Sequence, residues 1–169
     1  MDIERLTIKV QQCINDSQAI AVKCDHQQIE VIHLFSALVS QDDGLIPNIF
    51  EKMGINIKLL RNEVSKELNS MPKVLGEGAQ RGGVYPTRAF EQVFLKADDI
   101  AKDFKDSYIS VEHVMLAIMD LDKKGPTGKI LNRFNITKEK FLSVLHQIRG
   151  NQRVDTQDPE GTYEALVKY

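Results

Sequence analysis

The chain writes one structural unit twice. Residues 7–40 and 87–120 align at a constant offset of 80 positions, with Thr7 opposite Thr87, Gln12 opposite Gln92, Ile20 opposite Ile100 and Ala21 opposite Ala101. Ile29 stands opposite Ile109, Val31 opposite Val111, His33 opposite His113 and Ala37 opposite Ala117. That makes eight identities in 34 positions, where ordinary composition gives roughly two. A duplication of this kind implies two copies of one supersecondary unit packed about an approximate twofold axis. Neither copy holds an evident set of reactive side chains, which argues against a buried catalytic centre.

Apolar spacing in both copies is helical. Val10, Cys13, Ile14, Ser17, Ile20, Ala21 and Cys24 fall at i, i+3, i+4, i+7 intervals, and adding 80 gives Phe90, Val93, Phe94, Ala97, Ile100, Ala101 and Phe104. Thr7 and Thr87 precede these stripes, where a hydroxyl can accept from a first-turn N–H. A second helix follows in each copy, carrying Leu34, Phe35 and Leu38, or Val114, Met115 and Ile118. Ser110 is a good N-cap for the later one, whereas Glu30 offers the earlier one negative charge near its start.

Beyond this point the copies slip by one residue. Ile49 and Phe50 then match Ile130 and Leu131, Gly54 matches Asn135, and Ile55 matches Ile136. Gly and Asn are the residues most tolerant of the left-handed conformation that ends a helix, so the pairing has a physical basis. Leu59, Leu60, Val64 and Leu68 mark a closing helix in one copy, and Phe141, Leu145 and Ile148 in the other. The expected fold is all-α, eight helices forming two pseudo-twofold-related four-helix repeats, with no convincing strand.

The domain expected over 1–150 divides into repeat one at about 5–70, a flexible Gly-rich link at 71–85, and repeat two at about 86–150. After Gly150 the sequence is polar and patternless until EALVKY begins a new apolar pattern. Residues 151–169 therefore read as a linker and the start of a further element in a longer protein.

Bulk properties exclude several classes of function. A net charge of −2 gives no electrostatic case for nucleic acid or an anionic membrane. No apolar run approaches the length of a membrane span, and MDIERLTIKV lacks the apolar core of a secretory signal. Cys13 and Cys24 lie on one helix face about 16 Å apart, too far to bridge. They read as inward-facing thiols of a reducing, cytoplasmic compartment.

Motif candidates mostly reduce to structure. GPTGKI at 125–130 has two residues between its glycines and Ile130 after Lys129, so it fails as a phosphate loop and reads as a loop and helix start. The glycines of GEGAQRGG neither follow a strand nor open a helix. His33 and His113 are repeat mates without further ligands at metal-site spacing, and read as histidines bonding locally. His26 and His146 have no evident partner. No catalytic residue, metal site or cofactor is expected.

The junction of the first two helices in copy two is less easily dismissed. Phe94, Tyr108 and Val111 are expected to cluster there, flanked by Asp106 and Glu112. Glu112 replaces Ile32, a change rarely seen inside a core, so both positions are expected on the surface. An apolar groove edged by carboxylates suits an extended, partly basic peptide. The disagreements between copies, Ile32 against Glu112 and Ile14 against Phe94, are the places where function is expected to lie.

The stretches LTIKVQQCINDSQAIA, HQQIEVIHLFSALV and YISVEHVMLAIMD, with their 80-residue duplication, resemble the Clp amino-terminal domain. The downstream YEALVKY is similar to the join to the first ATPase ring in the ClpB-type disaggregase branch of that family. The resemblance implies a non-catalytic, monomeric domain carried by a homohexameric unfoldase, engaging unfolded or aggregated client proteins. ATP and Mg are expected only in ATPase domains that this sequence does not include. Family residues implicated in client engagement map to Thr7, Asp106 and Glu112, with Phe94, Ile100 and Val114 as the apolar wall; Tyr108 joins them from the cluster above. Lys96 and His113 depart from the apolar residues expected there. The related ClpC type is an alternative, binding adaptors or phosphoarginine through a Thr-Glu-His motif in each copy. Val31-Ile32-His33 lacks the carboxylate that Val111-Glu112-His113 retains, which favours the ClpB type.

Overall fold

The computed structural model describes residues 3–75, 83–150 and 152–161. The glycines at 76, 78 and 82 of the expected link, and the EALVKY segment, lie outside the described residues. Repeat one comprises a 3-10 turn Ile3–Arg5, α1 Ile8–Lys23, β1 Gln28–Ile29, α2 Val31–Ser40, α3 Leu45–Lys52 and α4 Ile57–Ser70. Repeat two comprises β2 Tyr85–Pro86, α5 Arg88–Asp103, α6 Val111–Leu121, α7 Pro126–Arg133 and α8 Lys138–Arg149. Eight α-helices among the described residues match the expectation of an all-α fold.

Local sequence explains most boundaries. Thr7 accepts from Val10 N–H at 3.3 Å and Thr87 from Phe90 N–H at 3.2 Å, so both opening caps form. Gly54 and Asn135 take φ of 85° and 55°, as the register slip implies. The helices before them end with the same turn, Ile55 N–H to Phe50 C=O at 2.9 Å and Ile136 N–H to Leu131 C=O at 2.9 Å. Asp25 and Lys105, also repeat mates, adopt φ of 60° and 59° after α1 and α5. Asp tolerates that conformation better than most residues but Lys does not, so the two copies shared no signal for it.

The second helices cap themselves in an unusual way. His33 Nδ1 accepts from Glu30 N–H at 2.8 Å, and His113 Nδ1 accepts from Ser110 N–H at 2.9 Å. An imidazole at the third helical position thus does the work that Glu or Gln does in the usual capping box. This is the local bonding that the shared histidine implied.

The all-α fold also holds one pair of two-residue parallel strands and an isolated bridge, which the sequence did not signal. Gln28 pairs with Tyr85 and Ile29 with Pro86, and an isolated bridge joins Leu6 to Ile109. The two pairings are 80-residue mates in which each repeat's leading segment pairs with the turn of the other. Runs of two residues have no alternation to read, which is why hydropathy gave no warning.

The core lies around α2 and α6. All residues of Val31–Val39 and of Val111–Met119 are buried, so both helices are enclosed on every side. α3 packs on α8 and α4 on α7, contacts that cross between repeats. Phe50 and Phe141 meet edge-on across that boundary with centroids 6.1 Å apart. Cys13 is buried, and desolvation pushes its thiol up to about 12. Cys24, the C-cap of α1, also packs against the core but is only half-buried, against the expectation that both thiols are buried.

α7 begins at Pro126 with Gly125 as its N-cap, and Gly128 faces the preceding turn. A Cβ at Gly128 would lie 1.9 Å from the backbone oxygen of Asp122 and 2.5 Å from that of Lys123. Backbone cannot step aside as a side chain can. Gly128→Ala is expected to destabilise the domain by about 1–3 kcal/mol, read as a lowered urea midpoint at unchanged slope.

Candidate functional site

An open groove of about 640 Å³ is lined by residues of α1 and α5 and by the segments of the reciprocal strand pairings. Three pairs of repeat mates face it: Ile14 with Phe94, Gln18 with Asp98, and Ile29 with Ile109. Phe90 and Phe94 meet with their rings tilted by 53° and centroids 5.2 Å apart, and Val84 and Pro86 also line the groove. Leu95 on the rim is 69% exposed. Arg5, ion-paired to Asp98, and Glu91 add charges of both signs. The arrangement offers an apolar floor with a mixed polar rim and no reacting group.

Of the residues singled out in the sequence, Phe94 and its repeat mate Ile14 line this groove. Ile100 and Val114 are buried in the core, and Tyr108 is half-buried away from the lining. Val111, expected to cluster with Phe94 and Tyr108, is buried at the start of α6. Lys96 is half-buried and His113 fully buried, neither in the lining. Phe90, Leu95 and the Val84–Pro86 stretch were missed. Leu95 had a legible signal, being a large apolar residue beside the inward stripe rather than within it.

The carboxylates do not edge the groove. Asp106 is 5% exposed, and Thr7 and Glu112 are fully buried, which corrects the expectation that position 112 faces solvent. Ile32 is buried too, because α2 and α6 are enclosed. Glu112 is accommodated by a hydrogen bond from the Ser110 hydroxyl and by Arg149 Nη1 at 3.5 Å. Arg149 lies on α8, outside the aligned stretches, so comparing the copies could not reveal it.

Asp106 is the hub of this cluster. Arg149 grips it with two hydrogen bonds of 2.9 and 2.7 Å, and His113 Nε2 lies 2.7 Å from Oδ2. Val154 N–H donates to Oδ1 at 2.9 Å. Burial alone would raise this carboxyl, but the bonds from His113 and Arg149 outweigh it and hold Asp106 at about 2. Glu160 Oε2 accepts from the Thr7 hydroxyl at 2.5 Å and from Val111 N–H at 3.2 Å. Burial, then the neighbouring Glu112, push Glu160 up to about 8.

In copy one His26 occupies the place of Asp106. Its Nδ1 lies 2.8 Å from His33 Nε2, so His26 does have a partner, contrary to expectation. Since His33 Nδ1 accepts from Glu30, its proton sits on Nε2 and points at His26. Burial and the neighbouring His26 lower His33 to about 4. Among the described residues no group of three or more His, Cys, Asp or Glu could hold a metal ion, and no helix is long and apolar enough to cross a membrane.

A depressed imidazole penalises the folded state in acid. The unfolded chain takes up this proton near pH 6.5 and the folded chain only near 4, so stability should fall as pH drops through that window. His33→Gln keeps an acceptor for Glu30 N–H and removes the titration. Urea midpoints measured from pH 7 to 4 should fall less steeply in His33→Gln than in the parent chain; equal slopes would assign the acid loss elsewhere.

Comparison with known proteins agrees with this architecture. The model of the Clp repeat (R) N-terminal domain matches residues 5–134. "Chaperone protein ClpB" of Clostridium tetani is 70% identical over 169 residues, covering 100% of this chain and 19% of the relative. The ClpB of Bacillus anthracis is 42% identical over the same span, again 19% of its length. The chain thus spans about a fifth of these curated relatives. In three dimensions it resembles the Hsp104 N-terminal domain of Candida albicans, with a TM-score of 0.78 at 19% identity, covering 92% of this chain and 98% of that one. With its duplicated four-helix unit and crossed leading segments, the chain belongs to the Clp repeat N-terminal domain family.

Proposed function

We propose that this domain recognises unfolded or aggregated client proteins for a ClpB-type, ATP-driven disaggregase, and is itself non-catalytic. The observation that carries this reading is the apolar groove on the pseudo-twofold axis, with Ile14 and Phe94 facing each other's surroundings across it. Clients of a disaggregase share exposed apolar residues but no common sequence. A shallow groove with an apolar floor, few directional hydrogen bonds and both rim charges suits such ligands. Its approximate twofold symmetry presents similar surfaces to a chain running in either direction, which further relaxes selectivity.

In this reading ATP and Mg act in separate domains beyond the linker of residues 151–169, within a cytoplasmic homohexamer. An adaptor or co-chaperone could dock on the same domain, as in the ClpC-type alternative, and it would depend on surface charge rather than on the groove floor.

Titration with a permanently unfolded, apolar-rich protein should shift backbone resonances of residues 84–98 and Ile14. Leu95→Ser, at a groove residue 69% exposed in the free domain, should weaken binding about tenfold, as expected for losing one apolar contact of about 1.5 kcal/mol. Affinity that survives Leu95→Ser but collapses with added salt would select the adaptor reading instead.

A further inference from the structure

The segment after the second repeat is fastened across the open ends of two helices. Ser107 N–H donates to Val154 C=O at 2.7 Å, and the Val154 N–H donates back to Asp106 Oδ1 at 2.9 Å. The Val154 side chain is fully buried. Arg149 Nη2 donates to Gln152 C=O at 2.9 Å. Farther along, Ile8 N–H donates to Gln157 C=O at 2.9 Å, and Val111 N–H to Glu160 Oε2 at 3.2 Å. Ile8 opens α1 and Val111 opens α6, positions whose N–H groups have no acceptor within their own helix. The segment supplies an acceptor to each, one in each repeat.

The duplication provides an internal control. In repeat one the chain past α4 is the counterpart of the chain past α8, and there the Val74 N–H donates to Asp25 C=O at 2.8 Å. There the chain lies loosely, with Val74 37% and Leu75 71% exposed, whereas Val154 and Glu160 are each 0% exposed. The turns differ at one decisive place. Copy two presents the Asp106 carboxylate, clamped by Arg149, where copy one presents His26. Both repeats have a place for an extended segment, and only copy two has a built one.

We propose that residues 152–161 are a releasable strap, an intramolecular peptide ligand of the cleft formed by Thr7, Asp106 and Val111. Docked, the strap ties α1 to α6 and fixes the direction in which the chain leaves the domain. Released, it frees that direction while the helical core stays folded, because its anchors cap helix ends and only Val154, Pro159 and Glu160 of its ten residues are buried. Glu160 Oε1 is buried without a hydrogen-bond partner, a weak point at the far end of the strap. The proposal does not rest on the groove, since no residue of 152–161 lines it.

Amide hydrogen exchange on the full 169-residue chain tests this. The Ile8, Val111 and Val154 amides should be protected, yet exchange at least tenfold faster than those of Leu38 and Ile118 inside α2 and α6. Val154→Ser and Glu160→Ala, which remove different anchors and leave the helices untouched, should each speed the three strap-dependent amides a further tenfold or more. Leu38 and Ile118 should keep their parental rates in both variants. Exchange of all five amides at one common rate, or equal acceleration of all by either variant, would make the segment an inseparable part of the fold and overturn the proposal. Unprotected Ile8 and Val154 amides in the parent chain, or strap amides indifferent to both substitutions, would overturn it from the other side.

Discussion

Two backbone hydrogen bonds, Thr7 N–H to Ile109 C=O and Thr87 N–H to Ile29 C=O, each 3.0 Å long, hold the leading segment of each repeat against the turn of the other. Much else follows from this exchange. It sets where α1 and α5 begin, and residues of both helices line the groove. It also places Ile29 and Ile109, whose carbonyls accept those bonds, in the groove lining. Neither repeat is complete alone. α2 and α6 are apolar nearly all round, and a single repeat would leave one such helix with a bare face. The two copies therefore make one cooperative core, stitched further by the α3–α8 and α4–α7 contacts.

The helices were legible because each buried face repeats at helical spacing and each stripe has a mate 80 residues on. The slip after the second helix was legible as well, since Gly54 and Asn135 share a backbone conformation that few other residues tolerate. The strands were not, because two residues carry no period. Half of the groove could be read from the disagreement between Ile14 and Phe94. The other half comes from Val84 and Pro86, which have no helical pattern and gain their role from the crossed pairing alone.

Glu112 shows where comparison of repeats misleads. Replacing an isoleucine by glutamate implies exposure only if the new charge lacks a buried partner. Here the partner is Arg149, 37 residues away on α8, and it also stacks over Phe104 at 5.5 Å. The same blind spot hid His26. Its position looked unremarkable until the fold placed it against His33, in the place where copy two puts Asp106 against His113. Identical histidines serve identical backbone roles, and their second nitrogens meet different chemistry in each copy.

That difference has an electrostatic consequence at the strap. Asp106 and Glu112 present two carboxylates to the single guanidinium of Arg149, and Glu160 brings a third into the same buried region. Three buried negative charges against one positive would be costly, since desolvation is repaid only where charge is balanced. Asp106 keeps its charge because it receives both arms of Arg149 and the bond from His113. The excess is relieved at Glu160, whose ionisation is displaced to about 8 by burial and by Glu112. The bonds that Glu160 accepts from Thr7 and Val111 act the other way, favouring its ionised form, and burial beside Glu112 outweighs them. Copy one, with His26 and Ile32 in the matching places, has no such cluster to close, and its own segment at Val74 stays exposed.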